Sequence, residues 1–203
     1  MSKLDLVRPA NDPAAVELAS WSSWLIPDIA ASSHSHSDLH GSAVTRAAVE
    51  ADMSASRVTL FFGHGFKSRL QGYTSDVLDL SNISKSWDRI VVAIACWSAV
   101  TLGPAAISAG ADAYLGFDEA MVWLTGDPDK RFGPAATSGV RKMITSGSDI
   151  AACATTMKSE FDSVFAFYKT GAGSGSPNAV LGWLAADWDK QRLTQLGTST
   201  TTI

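Results

Sequence analysis

Two segments decide the reading of this chain: RVTLFFGHG at residues 57–65 and RIVVAIAC at residues 89–96. The first is rich in β-branched and aromatic residues up to Phe62, and Gly63-His64-Gly65 then breaks the pattern. The second is a near-continuous apolar run, as expected of a central parallel strand covered on both faces, and it ends at Cys96. In an open parallel sheet, functional groups gather beyond the carboxyl ends of the strands. If these two strands are neighbours, about 4.8 Å apart, an imidazole and a thiol project from one sheet edge within reach of each other.

Outward from this pair, strands and helices alternate. Leu4–Val7 reads as a short strand, and Asp12-Pro13 as an N-cap with proline at the first helical position, opening a helix to about Leu25. Residues 30–38 read as a loop, 42–51 as a helix and 77–80 as a short strand. Gly103-Pro104 opens a helix that Gly110 closes, and ADAYLGF at 111–117 is a further strand. Helices are expected over 134–145, 148–169 and 178–187, a flexible GAGSGSP loop at 171–177, an edge strand over 191–196 and a loose tail at 198–203. This alternation predicts an α/β fold: a mostly parallel sheet with helices on both faces, in one domain spanning 1–203.

The 203 residues suit one sizeable core. With 46% hydrophobic and 18% charged residues, the composition is that of an ordered globular chain. A net charge of −4 without a basic run argues against a nucleic-acid partner. The apolar run around residues 90–95 is far short of the roughly 20 residues that span a bilayer, so no membrane partner is expected. Cys96 and Cys153 form no CxxC pair, and two free thiols together with an N-terminus lacking a signal-like apolar stretch point to the cytoplasm.

A thiol attacks a carbonyl as its thiolate, and a nearby His or a helix N-terminus lowers its pKa. The helix expected at Gly103-Pro104 starts soon after Cys96. The glycines flanking His64 let backbone approach a substrate closely. The N–H groups of Gly65 and Cys96 together suit an oxyanion hole, each donor being worth about 3 kcal/mol in such sites.

FFGHG at 61–65 followed by AIAC at 93–96 resembles the signature of caspases, metacaspases, gingipains, separase and the CHAT proteases. The run Ala109-Gly110-Ala111 into AYLGF resembles the stretch after the cysteine in gingipain-like and CHAT sequences, so the likeness covers about residues 57–119. The resemblance implies a three-layer caspase-like fold and a cofactor-independent cysteine endopeptidase acting on protein substrates. It makes Cys96 the nucleophile and His64 the general base or acid, and it puts the Gly65 N–H in the oxyanion hole. It also suggests, by analogy, a regulatory protein partner and a role in bacterial regulated proteolysis or defence. The flanks depart from the best-known members. Ile94-Ala95-Cys96-Trp97-Ser98 lacks the Gln-Ala-Cys-x-Gly of caspases, and Ile94 stands where metacaspases have an acidic residue. Neither Asp nor Arg/Lys specificity follows from these positions. Asp118 and Glu119, after the next strand, are the candidates for favouring a basic P1 residue, and Trp97 for walling the cleft. With basic specificity, Lys130 or Arg131 in the GDPDKRFG loop at 126–133 would be a self-cleavage site, although an uncut surface turn is the simpler reading. Two other readings stay open: a catalytically inactive caspase-like interaction module, and a flavodoxin-like ligand-binding domain.

Other signals carry less. HSHSDLH at 34–40 nearly matches a binuclear metal motif, but its last His is one position late and only His64 remains as a further histidine. A solvated loop without a functional metal is expected there. Gly171–Gly175 lacks the GxSxG spacing of a serine nucleophile, and there is no P-loop or GxGxxG. Trp21 and Trp24 are expected to pack inward, as are Trp183 and Trp188, and Cys153 to be a buried structural thiol.

Overall fold

In the computed structural model, which describes residues 2–125 and 130–203, the two deciding segments are adjacent parallel strands. The chain runs β1 (Lys3–Arg8), α1 (Pro13–Trp21), α2 (Ile26–Ala31), β2 (Ser35–His40), α3 (Arg46–Met53) and β3 (Val58–Phe62). A small antiparallel sheet comes next: β4 (Gly65–Phe66), β5 (Arg69–Gln71) and β6 (Asp76–Asp79). Then come β7 (Ile90–Ile94), α4 (Leu102–Ser108), β8 (Ala113–Phe117), α5 (Phe132–Ser146), α6 (Ile150–Lys169), α7 (Ala179–Arg192) and β9 (Leu193–Gly197). The main sheet has the order β2-β1-β3-β7-β8-β9, parallel except for β9.

Both faces of the central strands are buried, as their unbroken apolar runs require. Residue parity divides the core. Leu60, Phe62, Val92, Ile94, Leu115 and Phe117 pack with residues of α1, α2, α5, α6 and α7, such as Leu18, Ile29, Met143, Met157 and Ala186. Phe61, Val91, Ala93 and Tyr114 pack with Val49 of α3 and Ala106 of α4. Strand alternation thus sends neighbouring residues into two separate clusters.

Several expectations fail. Residues 35–40 form an edge strand instead of a loop, with every position paired in parallel with β1. Their polar character suits an exposed edge, where Asp38 takes the Arg8 guanidinium at 2.7 Å and Ser37 donates to the buried Asp5. The first helix stops at Trp21 and passes through a 3-10 turn into α2, which leaves Trp24 exposed, unlike the buried Trp21. Trp188 is likewise exposed. The tail is docked: the carbonyls of Ser199 and Thr201 accept the N–H groups of Ala151 and Ile150 in the first turn of α6, whose Ala152 N–H is taken by the Asp149 cap. Cys153 is fully buried in the core.

Candidate active site

Register builds the site. Phe62 of β3 faces Ile94 of β7, and His64 and Cys96 each lie two residues further on. They therefore occupy equivalent positions beyond the carboxyl ends of neighbouring strands. Gly65 closes the gap: a Cβ there would overlap the Cys96 carbonyl oxygen and lie 2.8 Å from the Ala95 Cβ. The backbone after His64 therefore rests directly on the backbone at Cys96, an approach only glycine permits. Gln71 donates its N–H to the His64 carbonyl at 3.0 Å. Antiparallel pairing alternates, so the Gly65 N–H points away from β5, with no ladder partner on that side.

His64 is held by a residue far off in sequence. Its Nε2 lies 2.6 Å from Asp12 Oδ2, and the other oxygen of Asp12 accepts the Ala15 N–H as the cap of α1. The Ala15 amide, and after it the His64 contact, hold the Asp12 carboxyl below its ordinary value despite some desolvation, so it stays ionised at neutral pH. An ionised acceptor at Nε2 fixes a proton on that nitrogen and leaves Nδ1 as the basic one.

Cys96 is partly buried, and its Sγ accepts the Met121 N–H at 3.3 Å. Burial raises the thiol pKa above its usual range. The Met121 amide offsets part of that, and the negative charge of Asp189 adds to the rise. The expected help from a helix end is absent. Five residues separate Cys96 from α4, and the first amides there are used elsewhere: Leu102 N–H on the Lys67 carbonyl and Gly103 N–H on that of Ser98. The chain turns sharply after the thiol, with Trp97 in the left-handed region at φ 52°. Ser98 Oγ, bonded to the Ala95 carbonyl, anchors this turn. Gly116 on β8 leaves room for that hydroxyl.

Residues 118–124 form a strap beside the thiol. Trp97 donates its backbone N–H to the Glu119 carbonyl and its indole Nε1–H to the Glu119 carboxylate, both at 3.0 Å. Trp188 Nε1–H donates to the Ala120 carbonyl at 2.7 Å, and the Val122 N–H to Asp189 Oδ1 at 2.9 Å. Glu119 is thus engaged in positioning Trp97. Asp118 accepts from Thr194 Oγ1 at 3.3 Å, while its other oxygen is buried without a partner among the described residues. Of the self-cleavage candidates, Lys130 and Arg131 are exposed, Arg131 with its guanidinium 3.5 Å from the Phe167 ring centroid. Residues 126–129 of that loop lie outside the described residues.

Asp12, Met121 and Asp189 were not legible as site residues. Asp12 announces itself only as a helix cap, Met121 acts through its backbone, and Asp189 sits 93 residues beyond Cys96 on α7. No group of three or more His, Cys, Asp or Glu side chains suited to a metal ion occurs among the described residues. No protein-family model matches the chain, and no curated protein matches it.

Proposed function

We propose that this chain is a cysteine endopeptidase of the caspase and gingipain type, with a three-layer caspase-like arrangement and protein substrates. The observation that carries the reading is the register of β3 and β7, which gives His64 and Cys96 equivalent places beyond adjacent strands, with Gly65 packed on the Ala95–Cys96 backbone. The strand order, five parallel strands closed by an antiparallel edge strand, supports it, as does the FFGHG and AIAC signature.

In this mechanism the Cys96 thiol gives its proton to Nδ1 of His64, and Sγ attacks the scissile carbonyl carbon. The resulting oxyanion is held by the N–H groups of Gly65 and Cys96. His64 then passes the proton to the leaving amine as the C–N bond breaks, giving a thioester on Cys96. Water, deprotonated by His64, hydrolyses the thioester and restores the thiol. Asp12 acts as a positioning residue, fixing the imidazole from behind through Nε2. In the conformation observed, the Met121 amide occupies Sγ and burial keeps the thiol protonated, so catalysis requires the strap to shift. This resting state fits an enzyme controlled by a regulatory partner in bacterial regulated proteolysis or defence, working in the reducing cytoplasm where both cysteines stay free.

The raised thiol pKa also favours a second reading, an inactive interaction module. A peptidyl acyloxymethyl ketone separates the two. The enzyme reading predicts labelling of Cys96 at neutral pH, at least about 10-fold slower in His64→Ala, with Cys153 untouched because it is fully buried and its pKa is pushed up to about 12. The module reading predicts that both thiols label equally slowly and that His64→Ala changes nothing.

A further inference from the structure

HSHSDLH at 34–40 has no part in the proposed chemistry, yet most of it forms one edge of the main sheet. Residues 35–40 pair with β1 on one side and with no strand on the other. Among the described residues, no backbone hydrogen bond outside that ladder involves residues 35–40, so the outward N–H and C=O groups of β2 are open. Natural sheets blunt such an edge with proline, lysine, a bulge, a short strand or a covering element. β2 uses none of these. SHSDLH contains no Pro, Gly or Lys, its residues are exposed or half-buried, and its six pairs with β1 run without a shift. The opposite edge is built differently. On β9 the Gln195 side-chain amide donates to the carbonyls of Leu196 and Gly197, at 3.2 and 3.3 Å, and Gly197 leaves the extended region at φ 82°.

The side chains of β2 point to the strand it accepts. Register with β1 puts His36, Asp38 and His40 on the face of Leu4, Leu6 and Arg8, and Ser37 and Leu39 on the face of Asp5 and Val7. A second copy related by a two-fold axis normal to the sheet brings β2 antiparallel to itself and keeps each face with its like. Opposed residues then have numbers of even sum, and two registers of this kind pair five of the six residues. One centres on Asp38. It sets the two Asp38 carboxylates against each other and His36 against His40, which is unfavourable. The other centres on Ser37. It sets His36 opposite Asp38 of the second copy, and Asp38 opposite His36 of the second copy, which is favourable. Asp38 holds Arg8 through both oxygens, but a carboxylate accepts about four hydrogen bonds, so lone pairs remain for an imidazole N–H.

We infer that β2 is a self-association surface: a second copy of this chain adds its own β2 antiparallel, centred on Ser37, with reciprocal His36–Asp38 pairs. The two sheets join into one. Because the added sheet runs the opposite way, the two Cys96 sites face opposite ends of it. The interface is one strand wide, so the dimer is weak and depends on concentration. The inference stands apart from the peptidase reading.

The test is sedimentation velocity of the full chain in EDTA at increasing concentration, for the wild type, His36→Glu, Asp38→Lys and the double variant. His36→Glu sets a second carboxylate opposite Asp38, and Asp38→Lys sets a cation opposite His36. The double variant restores opposite charges. The wild type is expected to dimerise, each single variant to raise the dissociation constant at least about 5-fold, and the double variant to return it to within about 2-fold of the wild type. His36→Glu leaves the Arg8–Asp38 pair in place, and circular dichroism checks that each variant is folded. A wild type that stays monomeric up to about 0.5 mM leaves the edge to a strand of another protein and overturns the inference. Dimers that the single variants do not weaken, or that the double variant does not restore, use another surface or register and overturn it too. Association seen only without EDTA is metal bridging by the histidines and also overturns it.

Discussion

Gly65 and Asp12 carry much of the site while contributing no reacting atom. Any Cβ at position 65 meets the Cys96 carbonyl oxygen, so Gly65→Ala must push the His64 turn away from the Cys96 turn. A displacement of about 1 Å in a catalytic pair costs on the order of 100-fold in rate. Gly65→Ala is therefore expected to lower kcat/KM by about that factor while circular dichroism reports an intact fold. Asp12 has two jobs that substitution can separate. Asn caps helices as well as Asp does, so Asp12→Asn should leave the melting temperature nearly unchanged, whereas Asp12→Ala should cost about 1 kcal/mol. Both variants lose the carboxylate at His64 Nε2, and both should lower kcat roughly 10-fold to 100-fold with little change in KM. Equal activity of Asp12→Asn and wild type would remove Asp12 from the mechanism.

At the scale of elements, the strap at 118–124 is bonded to the thiol through the Met121 N–H, and the proposed chemistry requires it to move. It is tied to the Cys96 turn through Glu119 and to α7 through the Trp188 indole and Asp189. Each neutral hydrogen bond contributes about 1 kcal/mol, or roughly a factor of 5 in an opening equilibrium. Trp188→Phe removes the bond to Ala120, so Cys96 should react with iodoacetamide about 5-fold faster at pH 8. An unchanged rate would show that the strap does not limit access. The strands were readable because their chemistry is local: VTLFF and IVVAI are β-branched runs buried on both faces. The strap was not readable, because it works through backbone amides and through a helix far along the chain. The edge strand at 35–40 was missed because edge positions tolerate the Ser, His and Asp of a loop. The tail looked loose in sequence, yet its carbonyls satisfy α6 amides that composition alone cannot show.

Over the whole molecule, a six-stranded sheet with two core clusters sets two short loops side by side, and the chemistry proposed lies in the line between them. The equivalent placement of His64 and Cys96 was legible because both strands end abruptly in a reactive residue and the two strands pair in parallel register. What cannot be read from a linear sequence is that His64 Nε2 lies on the Asp12 carboxylate and that Cys96 Sγ accepts the Met121 N–H. If the proposed chemistry holds, this arrangement cuts peptide bonds. The most direct measurement is to incubate a denatured proteome with wild type or Cys96→Ala and to count new N-termini by mass spectrometry. The wild type is expected to produce a set of new N-termini that are absent with Cys96→Ala and His64→Ala. Identical N-termini from the wild type and Cys96→Ala would contradict it.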